Sequence, residues 1–281
     1  MHLLKKGVHL FVFSNVYIAC CAVIMTLQTK QLLSLSYDSS HYLWFVFFST
    51  LCSYNFHWYI MPVAPSEQIR ARWTRHNRTL HALLFATGLA GAVWYYSYFT
   101  QHWFWMLSVA LVTFLYSAPK LSYRPFVYLR KVAIGKTLFL AFVWMHVTTL
   151  LPAIISHNPL TVTGTWLCVN RFSFIYAICI LFDYRDRTSD RQQGIRSMIT
   201  YFGEAGINRL FYLSLAIFFT GTAAIWYIER DMVFACSSLL SGALLWWLYP
   251  IARRNFSDYL YYIVLDGLMM LSALIQLISY F

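Results

Sequence analysis

Long apolar segments recur from one end of the chain to the other, and short polar stretches separate them. Their lengths are near 20 residues, which is what an α-helix needs to cross a hydrocarbon core about 30 Å thick. The pattern therefore predicts nine membrane-spanning helices. The predicted spans cover residues 7–28, 41–61, 79–98, 102–117, 133–155, 161–182, 207–228, 232–250 and 257–280.

Composition also indicates an integral membrane protein. The 281-residue chain is 60% hydrophobic, 20% aromatic and only 11% charged, whereas soluble domains carry about 25% charged residues. No linker or low-complexity tract divides the chain, so we expect residues 1–281 to form one all-α domain. The first apolar segment follows Lys5 and Lys6 as a signal peptide would. It is too long and lacks a small-residue cleavage site, so we expect a retained helix.

The distribution of positive charge predicts the orientation in the membrane. With the N-terminus in the cytoplasm, sixteen of the 21 Lys and Arg residues lie in cytoplasmic segments, and only Lys30 and Arg230 lie on the external side. Nine spans then place the C-terminus outside, and a bacterial inner membrane is the expected location. Topology and anionic lipid account for the net charge of +11, so we expect no nucleic-acid partner.

The polar segment after the sixth predicted span collects acidic residues on one helix face. It reads DYRDRTSDRQQGIRSMITYFG over residues 183–203. At 100° per residue, Asp183, Asp186 and Asp190 fall within about 60° of one another. Carboxylates at this spacing repel, and Mg²⁺ would offset the repulsion because it prefers oxygen ligands and accompanies phosphates. A solvated helix laced with Asp–Arg pairs is the alternative.

Two segments resemble the UbiA superfamily of intramembrane prenyltransferases. The pattern DxxDxxxDRxxGIRSxxxxFG, which begins at Asp183, is similar to the second aspartate motif of that family. Residues 115–152 are similar to its segment through the fourth and fifth helices. The resemblance implies nine helices around a central cavity that opens to the cytoplasm. It also implies Mg²⁺ and a prenyl diphosphate, whose isoprenoid group passes to an aromatic or other lipophilic acceptor.

The resemblance in the second aspartate motif implies roles for individual residues. Asp186 and Asp190 match the metal-binding aspartates, and Asp183 matches an additional polar position. Arg196 matches a basic residue that the resemblance implies will contact diphosphate. We therefore expect the charged segment to be the more complete half of a substrate site.

The first aspartate motif of the family is degenerate in this chain. Asn55 matches its leading asparagine, but Phe56 and Tyr59 stand where the first two acids would be. Downstream, Arg75 and Arg78 match the family's basic stretch and are expected to contact phosphate. Loss of the acids should weaken Mg²⁺ and diphosphate binding, because carboxylates supply the oxygen ligands. Three alternatives stay open: a divergent prenyltransferase, a lipid- or diphosphate-binding protein without catalysis, and a transporter or channel.

Three of the charged residues within the predicted spans are further candidates for a functional or structural role. Lys136 is near the cytoplasmic end of the fifth span, where its side chain can extend to a diphosphate at the surface. Arg171 and Asp266 each lie about ten residues into a span, near the membrane midplane. Charges there are costly and normally pair or line a cavity. We therefore expect Arg171 and Asp266 to approach each other, as a structural ion pair or as cavity-lining residues.

The charge asymmetry predicts that the 62–78 and 183–206 loops face the cytoplasm. In a chain without native cysteines, Arg72→Cys and Arg187→Cys should react with a membrane-impermeant maleimide only after permeabilisation. Arg230→Cys is the matched control and should react in intact cells. Labelling of either loop in intact cells would contradict the predicted orientation.

Overall fold

The structure is a computed structural model that describes residues 2–60, 68–117, 136–156, 160–192 and 198–279. Helices cover most of these residues, and no β-strand occurs within these ranges. In chain order the α-helices are α1 His2–Phe13, α2 Val16–Leu32, α3 Ser39–Ile60, α4 Ile69–His76, α5 Arg78–Tyr96, α6 Trp103–Ser117, α7 Lys136–Met145, α8 Leu151–Ile155, α9 Val162–Gln192, α10 Met198–Glu229, α11 Met232–Ala252 and α12 Asp266–Ser279.

Three helical segments of other types connect some of these elements. A 3₁₀-helix over Ser97–His102 joins α5 to α6, where the sequence predicts a short turn. A π-helical turn over His146–Leu150 joins α7 to α8, and a second one over Leu260–Leu265 leads into α12. A π-helical turn widens the helix and frequently occurs at functional sites.

Each predicted span overlaps at least one described helix, but not all of these helices meet the length and composition requirements for crossing a membrane. By length and composition, five described segments do so: Thr137–Ile155, Val162–Arg187, Phe202–Glu229, Met232–Ala252 and Leu260–Ser279. The pair Lys5–Phe13 and Val16–Leu32 adds a sixth if it is one broken span. Helices α3 and α5 contain many Tyr, Trp, His and small residues, and α6 has only 15 residues. The all-helical fold is confirmed, and the number nine stays a prediction.

The helices pack in chain order as a closed ring. Neighbour contacts run from α2 to α3 and α5, and through the 3₁₀-helix to α6, α7, α9, α10, α11 and α12. Helix α12 then packs back against α2, which closes the ring. The short helix α1 contacts α4 and the second π-helical turn. This order brings the ends of α3, α4, α9 and α12 to one region of the bundle.

The first predicted span is bent rather than continuous, which corrects the expectation of one uninterrupted helix. The axes of Lys5–Phe13 and Val16–Leu32 differ by 61°. Asn15 lies at the bend in the left-handed conformation, with φ of 69°. Asparagine adopts this conformation more readily than most residues. The bend leaves the Ser14 carbonyl available to a side chain from α3.

The glycine near the end of the charged motif is required by its backbone conformation. Gly203 has φ of +65° inside α10, which favours glycine because it lacks a Cβ. A Cβ at this position would have no neighbour within 4 Å, so packing does not explain the residue. Gly203 therefore lets the chain turn before the long apolar part of α10.

Helices α3 and α5 approach closely at Gly88. A Cβ built at Gly88 would lie 2.6 Å from the backbone nitrogen of Cys52 and 2.9 Å from its Cα. Backbone atoms of a packed helix cannot move aside as the end of a flexible side chain can. Small residues commonly allow membrane helices to approach in this way.

Gly88→Ala should force α3 and α5 apart and lower the thermal stability of the detergent-solubilised protein. Overpacking of this kind typically costs about 1–3 kcal/mol. Gly7→Ala in α1 is the matched control, because a Cβ there has nothing within 4 Å. Thermal unfolding followed by size-exclusion chromatography measures both variants, and equal stability would contradict the close approach.

Candidate functional site

A buried polar cluster forms where α1 and α2 meet. Asn15 Nδ2 donates to Asn55 Oδ1 at 3.1 Å, and His81 Nδ1 lies 2.6 Å from the same oxygen. Asn55 Nδ2 in turn donates to the carbonyl oxygens of Ser14 at 3.1 Å and Leu51 at 2.8 Å. The three side chains in the cluster are fully buried. Both ends of the Asn55 amide, a predicted substrate-binding group, therefore already have protein partners.

Arg70 of α4 extends into this cluster. Its Nη2 donates to Asn15 Oδ1 at 2.5 Å, and its backbone N–H donates to Asp258 at 2.8 Å. The guanidinium carbon lies 4.2 Å from the ring centroid of Trp58 and 3.9 Å from that of Tyr262. Burial lowers the pKa of Arg70 from its ordinary value, yet arginine stays protonated in proteins. The two aromatic rings stabilise the buried cation.

Arg185 brings a second buried guanidinium group from α9. Its side chain is 5% exposed, and its Nε donates to Asp186 Oδ1 at 3.1 Å. The guanidinium carbon lies 4.5 Å from the ring centroid of Tyr262 and 4.9 Å from that of Tyr261. Both tyrosines belong to the second π-helical turn and are buried. One ring, that of Tyr262, therefore contacts both guanidinium groups.

Each of these arginines keeps a buried N–H donor that has no partner among the described residues. The two donors are Arg70 Nε and Arg185 Nη1. In the same cluster, Asp258 Oδ1 and His81 Nε2 also lack a partner within the described part of the chain. An unsatisfied buried polar group costs about 1–3 kcal/mol. A bound ligand that accepts hydrogen bonds from the arginines would offset this cost.

The three predicted metal-binding aspartates differ in their surroundings. Asp183 is buried and accepts a hydrogen bond from Thr137 Oγ1 at 2.5 Å. The side chain of Asp186 is 35% exposed and pairs with Arg185. Asp190 belongs to α9, but its side chain lies outside the described set. No group of three His, Cys, Asp or Glu in the described ranges could hold a metal ion. The described side chains thus do not assemble the predicted Mg²⁺ site, and Mg²⁺ binding that involves Asp190 stays a prediction.

Most residues that are predicted to contact phosphate lie away from the buried cluster or outside the part of the chain that the structure describes. Arg75 and Arg78 are exposed, and Arg78 donates to a backbone carbonyl of α3 at 3.3 Å. Lys136 begins α7, but its side chain is not described, and Arg196 lies outside the described residues. Of the predicted substrate-binding side chains that the structure describes, Asn55 alone enters the cluster.

The two positions of α3 that carry acids in the UbiA family have packing roles here. The ring of Phe56 lies against Phe85 of α5, with centroids 5.4 Å apart. The exposed ring of Tyr59 lies 5.1 Å from the guanidinium carbon of Arg78. Both side chains therefore make aromatic contacts at the positions where the resemblance would place acids.

Arg171 and Asp266 do not form the predicted ion pair. Both residues are buried, as their positions in the spans suggest. The hydrogen bonds of Arg171 go to neutral oxygens, and no ion pair joins it to Asp266 in the described part of the chain. Asp266 instead has Arg70 and Arg185 as its electrostatic partners. The predicted pairing was wrong because the ring places different arginines near α12.

Neutral groups from α2 and the first π-helical turn surround the guanidinium of Arg171. Its Nη1 lies 2.7 Å from Thr29 Oγ1, 2.9 Å from Thr149 Oγ1 and 3.0 Å from the Thr148 carbonyl oxygen. Its Nη2 donates to Gln28 Oε1 at 2.6 Å. Hydroxyl, carbonyl and amide dipoles thus satisfy a charge that would otherwise be costly in the bundle interior.

Gln28 and Gln276 connect Arg171 to Asp231. Asp231 lies at the end of the bundle for which the sequence predicts an external position. Gln28 Nε2 donates to Gln276 Oε1 at 3.0 Å, and Gln276 Nε2 donates to Asp231 Oδ2 at 2.8 Å. Asp231 also caps α11 by accepting from the Phe234 N–H at 2.9 Å. The chain of hydrogen bonds therefore links α2, α12 and the start of α11 to Arg171.

Sequence reasoning missed Arg70, Arg185 and Tyr262. One signal was available for Arg70, because Ile69 and Trp73 pack on the core at helical spacing and mark the buried face of α4. No comparable signal separates Arg185 from the other arginines of the charged motif. Tyr262 is one of 21 tyrosines, and only the fold shows that it lies between two cations.

Comparison with known proteins supports the fold. The chain is similar to a solved structure of digeranylgeranylglyceryl phosphate synthase, a prenyltransferase of the UbiA superfamily, with a TM-score of 0.58. The similarity covers 99% of this chain and all of that chain at 15% identity, a level that establishes the fold alone. No protein-family model and no curated protein matches the sequence. The resemblance to the UbiA superfamily is thus confirmed as one of fold, and the apolar helices fit an integral membrane protein.

Arg171→Met should lower the free energy of unfolding by about 2–4 kcal/mol, because Gln28 and the carbonyl of the π-helical turn lose a charged donor. Arg209→Met is the control, since Arg209 is exposed on α10. Unfolding in mixed micelles of increasing denaturing detergent measures both variants. A parent-like midpoint for Arg171→Met would show that the neutral oxygens do not depend on the guanidinium.

Proposed function

We propose that this protein is an integral membrane prenyltransferase that transfers an isoprenoid group from a prenyl diphosphate to a lipophilic acceptor. The observation that carries the proposal is the buried pair Arg70 and Arg185, which lies beside Asn55 and Asp186. Asn55 matches the first aspartate motif and Asp186 the second. The resemblance implies that the diphosphate binds between these two motifs. Guanidinium groups suit an anion with several oxygens, because each presents a planar fork of donors.

The arginines would act on the leaving diphosphate. The bond between the allylic carbon and the diphosphate oxygen breaks, and both electrons go to the oxygen. Hydrogen bonds from Arg70 and Arg185 stabilise that growing negative charge without reorganisation of solvent. In the family, Mg²⁺ supplies further neutralisation of the diphosphate. For this chain we propose that Asp186 and Asp190 would hold the Mg²⁺. Thr137 donates a hydrogen bond to Asp183 and fixes its side chain.

Aromatic side chains would protect the isoprenoid cation. Trp58 and Tyr262 lie against Arg70, and Trp73 packs edge-on to His81 in the same cluster. Aromatic faces attract a cation and exclude the water that would quench it. The acceptor then forms a bond to the allylic carbon and releases a proton to solvent. These residues do not identify the acceptor, which we propose only as aromatic or otherwise lipophilic.

The proposed topology has nine spans, with the N-terminus in the cytoplasm and the C-terminus outside, in a bacterial inner membrane. The candidate site supports this orientation. Arg70 lies on α4, which the 62–78 loop contains, and Arg185 lies at the start of the 183–206 loop. Both loops are rich in arginine, and positive charge favours the cytoplasmic side.

A second candidate function is binding of a prenyl diphosphate or another lipid phosphate without transfer. Two observations favour this function over Mg²⁺-dependent prenyl transfer. Phe56 and Tyr59 replace acids of the first motif and serve packing. In the described part of the chain, the acids of the second motif do not gather into a metal-ligating set.

An assay in lipid nanodiscs separates the two candidates. Protein is incubated with Mg²⁺, prenyl diphosphates of several chain lengths and a membrane lipid extract, and released diphosphate is measured with alkylated product. Transfer predicts equal amounts of both. Asp190→Ala should lower turnover by about tenfold or more, because it removes a charged ligand of the proposed metal. The matched control is Asp38→Ala, which changes an exposed aspartate in the turn before α3. Ligand binding without released diphosphate would reject transfer and support the second candidate.

A further inference from the structure

We infer that α2 and the first π-helical turn form a site for a monovalent cation, and that Arg171 occupies this site with its own guanidinium group. The ligand class is a cation of about the size of ammonium or potassium. In the parent chain a soluble cation does not enter, because the Arg171 side chain fills the site. The site is separate from the proposed diphosphate site, since Arg171 precedes Arg185 by fourteen residues, or about 21 Å, along α9.

Five oxygen atoms surround a single nitrogen of Arg171, and we call them the oxygen shell. Nη1 lies 2.7 Å from Thr29 Oγ1, 2.9 Å from Thr149 Oγ1, 3.0 Å from the carbonyl oxygens of Met25 and Thr148, and 3.4 Å from Thr148 Oγ1. The two hydrogens of a guanidinium Nη cannot give each of five oxygens a separate hydrogen bond. The remaining oxygens lie near the positive charge, as carbonyl oxygens do when they replace the hydration shell of a cation.

The sequence explains why a backbone carbonyl is available for the oxygen shell. In an α-helix the Thr148 carbonyl would accept from the N–H of residue 152, but that residue is Pro152, which has no N–H. Pro152 lies in the first turn of α8, which follows the π-helical turn. The Thr148 carbonyl oxygen instead accepts from Arg171 Nη1 and Thr29 Oγ1. Backbone carbonyls in broken membrane helices coordinate monovalent cations in several transporters.

The oxygen shell favours a large monovalent cation over a divalent one. Its oxygens lie 2.7 to 3.4 Å from the charged nitrogen. Ca²⁺ requires about 2.3–2.6 Å and Mg²⁺ about 2.0–2.1 Å, and both normally take carboxylate ligands. All five oxygens are neutral, and within the described ranges no carboxylate forms an ion pair with Arg171. The hydrogen-bonded chain from Arg171 reaches the carboxylate of Asp231 after Gln28 and Gln276.

Two variants separate a requirement for charge from a requirement for hydrogen-bond donors. Arg171→Lys supplies a cation to the oxygen shell, whereas Arg171→Gln supplies two donor hydrogens without charge. A cation site predicts that the Tm in nanodiscs falls in the order parent, Arg171→Lys, Arg171→Gln, with the lysine variant about 2–4 °C or more above the glutamine variant. Equal Tm values, or a higher Tm for Arg171→Gln, would show that donors alone satisfy the oxygens and would reject the site.

Arg171→Ala should open the site to soluble cations. The purified full-length variant is heated in nanodiscs in millimolar ammonium, potassium or guanidinium chloride, with choline chloride holding the ionic strength constant. Each cation should raise the Tm of the variant by about 2–4 °C over choline, because a ligand that binds only the folded state stabilises it. The Tm of the parent should not change, since Arg171 occupies its site. Arg209→Ala is the matched control, because it removes an exposed arginine from α10.

The absence of a cation-dependent rise in Arg171→Ala, or an equal rise in the parent and in Arg209→Ala, would overturn the inference. If Arg171→Ala unfolds during purification, millimolar guanidinium chloride is included from extraction onward. Recovery of monodisperse protein in guanidinium but not in choline would support the site. Failure to recover it, while Arg171→Lys stays monodisperse, would reject the site.

Discussion

The burial of guanidinium groups inside an apolar bundle is the constraint on which much of this structure depends. A charge in such an interior costs several kcal/mol unless surrounding groups satisfy it. The bundle uses two solutions: neutral oxygens around Arg171, and aromatic rings around Arg70 and Arg185. Both solutions lie at π-helical turns, over His146–Leu150 and Leu260–Leu265. The first turn supplies Thr148 and Thr149 to Arg171, and the second supplies the Tyr262 ring to both Arg70 and Arg185.

The bend between α1 and α2 connects this constraint to the candidate site. Asn15 takes a left-handed conformation there, and Asn55 Nδ2 of α3 donates to the buried carbonyl oxygen of Ser14. The remaining oxygen of Asn15 then accepts from Arg70, and His81 of α5 completes the cluster. One local break in a helix thus joins the start of α2 to α3, α4 and α5. It also fixes the guanidinium of Arg70 next to the π-helical turn before α12.

The fold and the site give different information about function. The fold is similar to that of a solved digeranylgeranylglyceryl phosphate synthase, but one fold can carry different chemistry when its site residues change. Here the α3 positions of the family acids hold Phe56 and Tyr59, while two buried arginines occupy the neighbouring region. Both guanidinium groups are held in place by aromatic rings. The anionic ligand proposed for this site rests on these residues and not on the fold.

The sequence by itself determined the properties that depend on local pattern. Apolar runs predicted the helices, and the motif at Asp183 predicted the resemblance of fold, because each signal lies within one continuous segment. The orientation that the basic loops indicate stays a prediction. The π-helical turns, the bend at Asn15 and the partners of buried charges were decided only by the tertiary structure. Arg171 shows the reason. Its expected partner Asp266 has a similar predicted depth in the membrane, but the order of helices in the ring places α2 and a π-helical turn beside Arg171. Which charges meet depends on contacts between segments far apart in the chain, and no spacing within a segment encodes them.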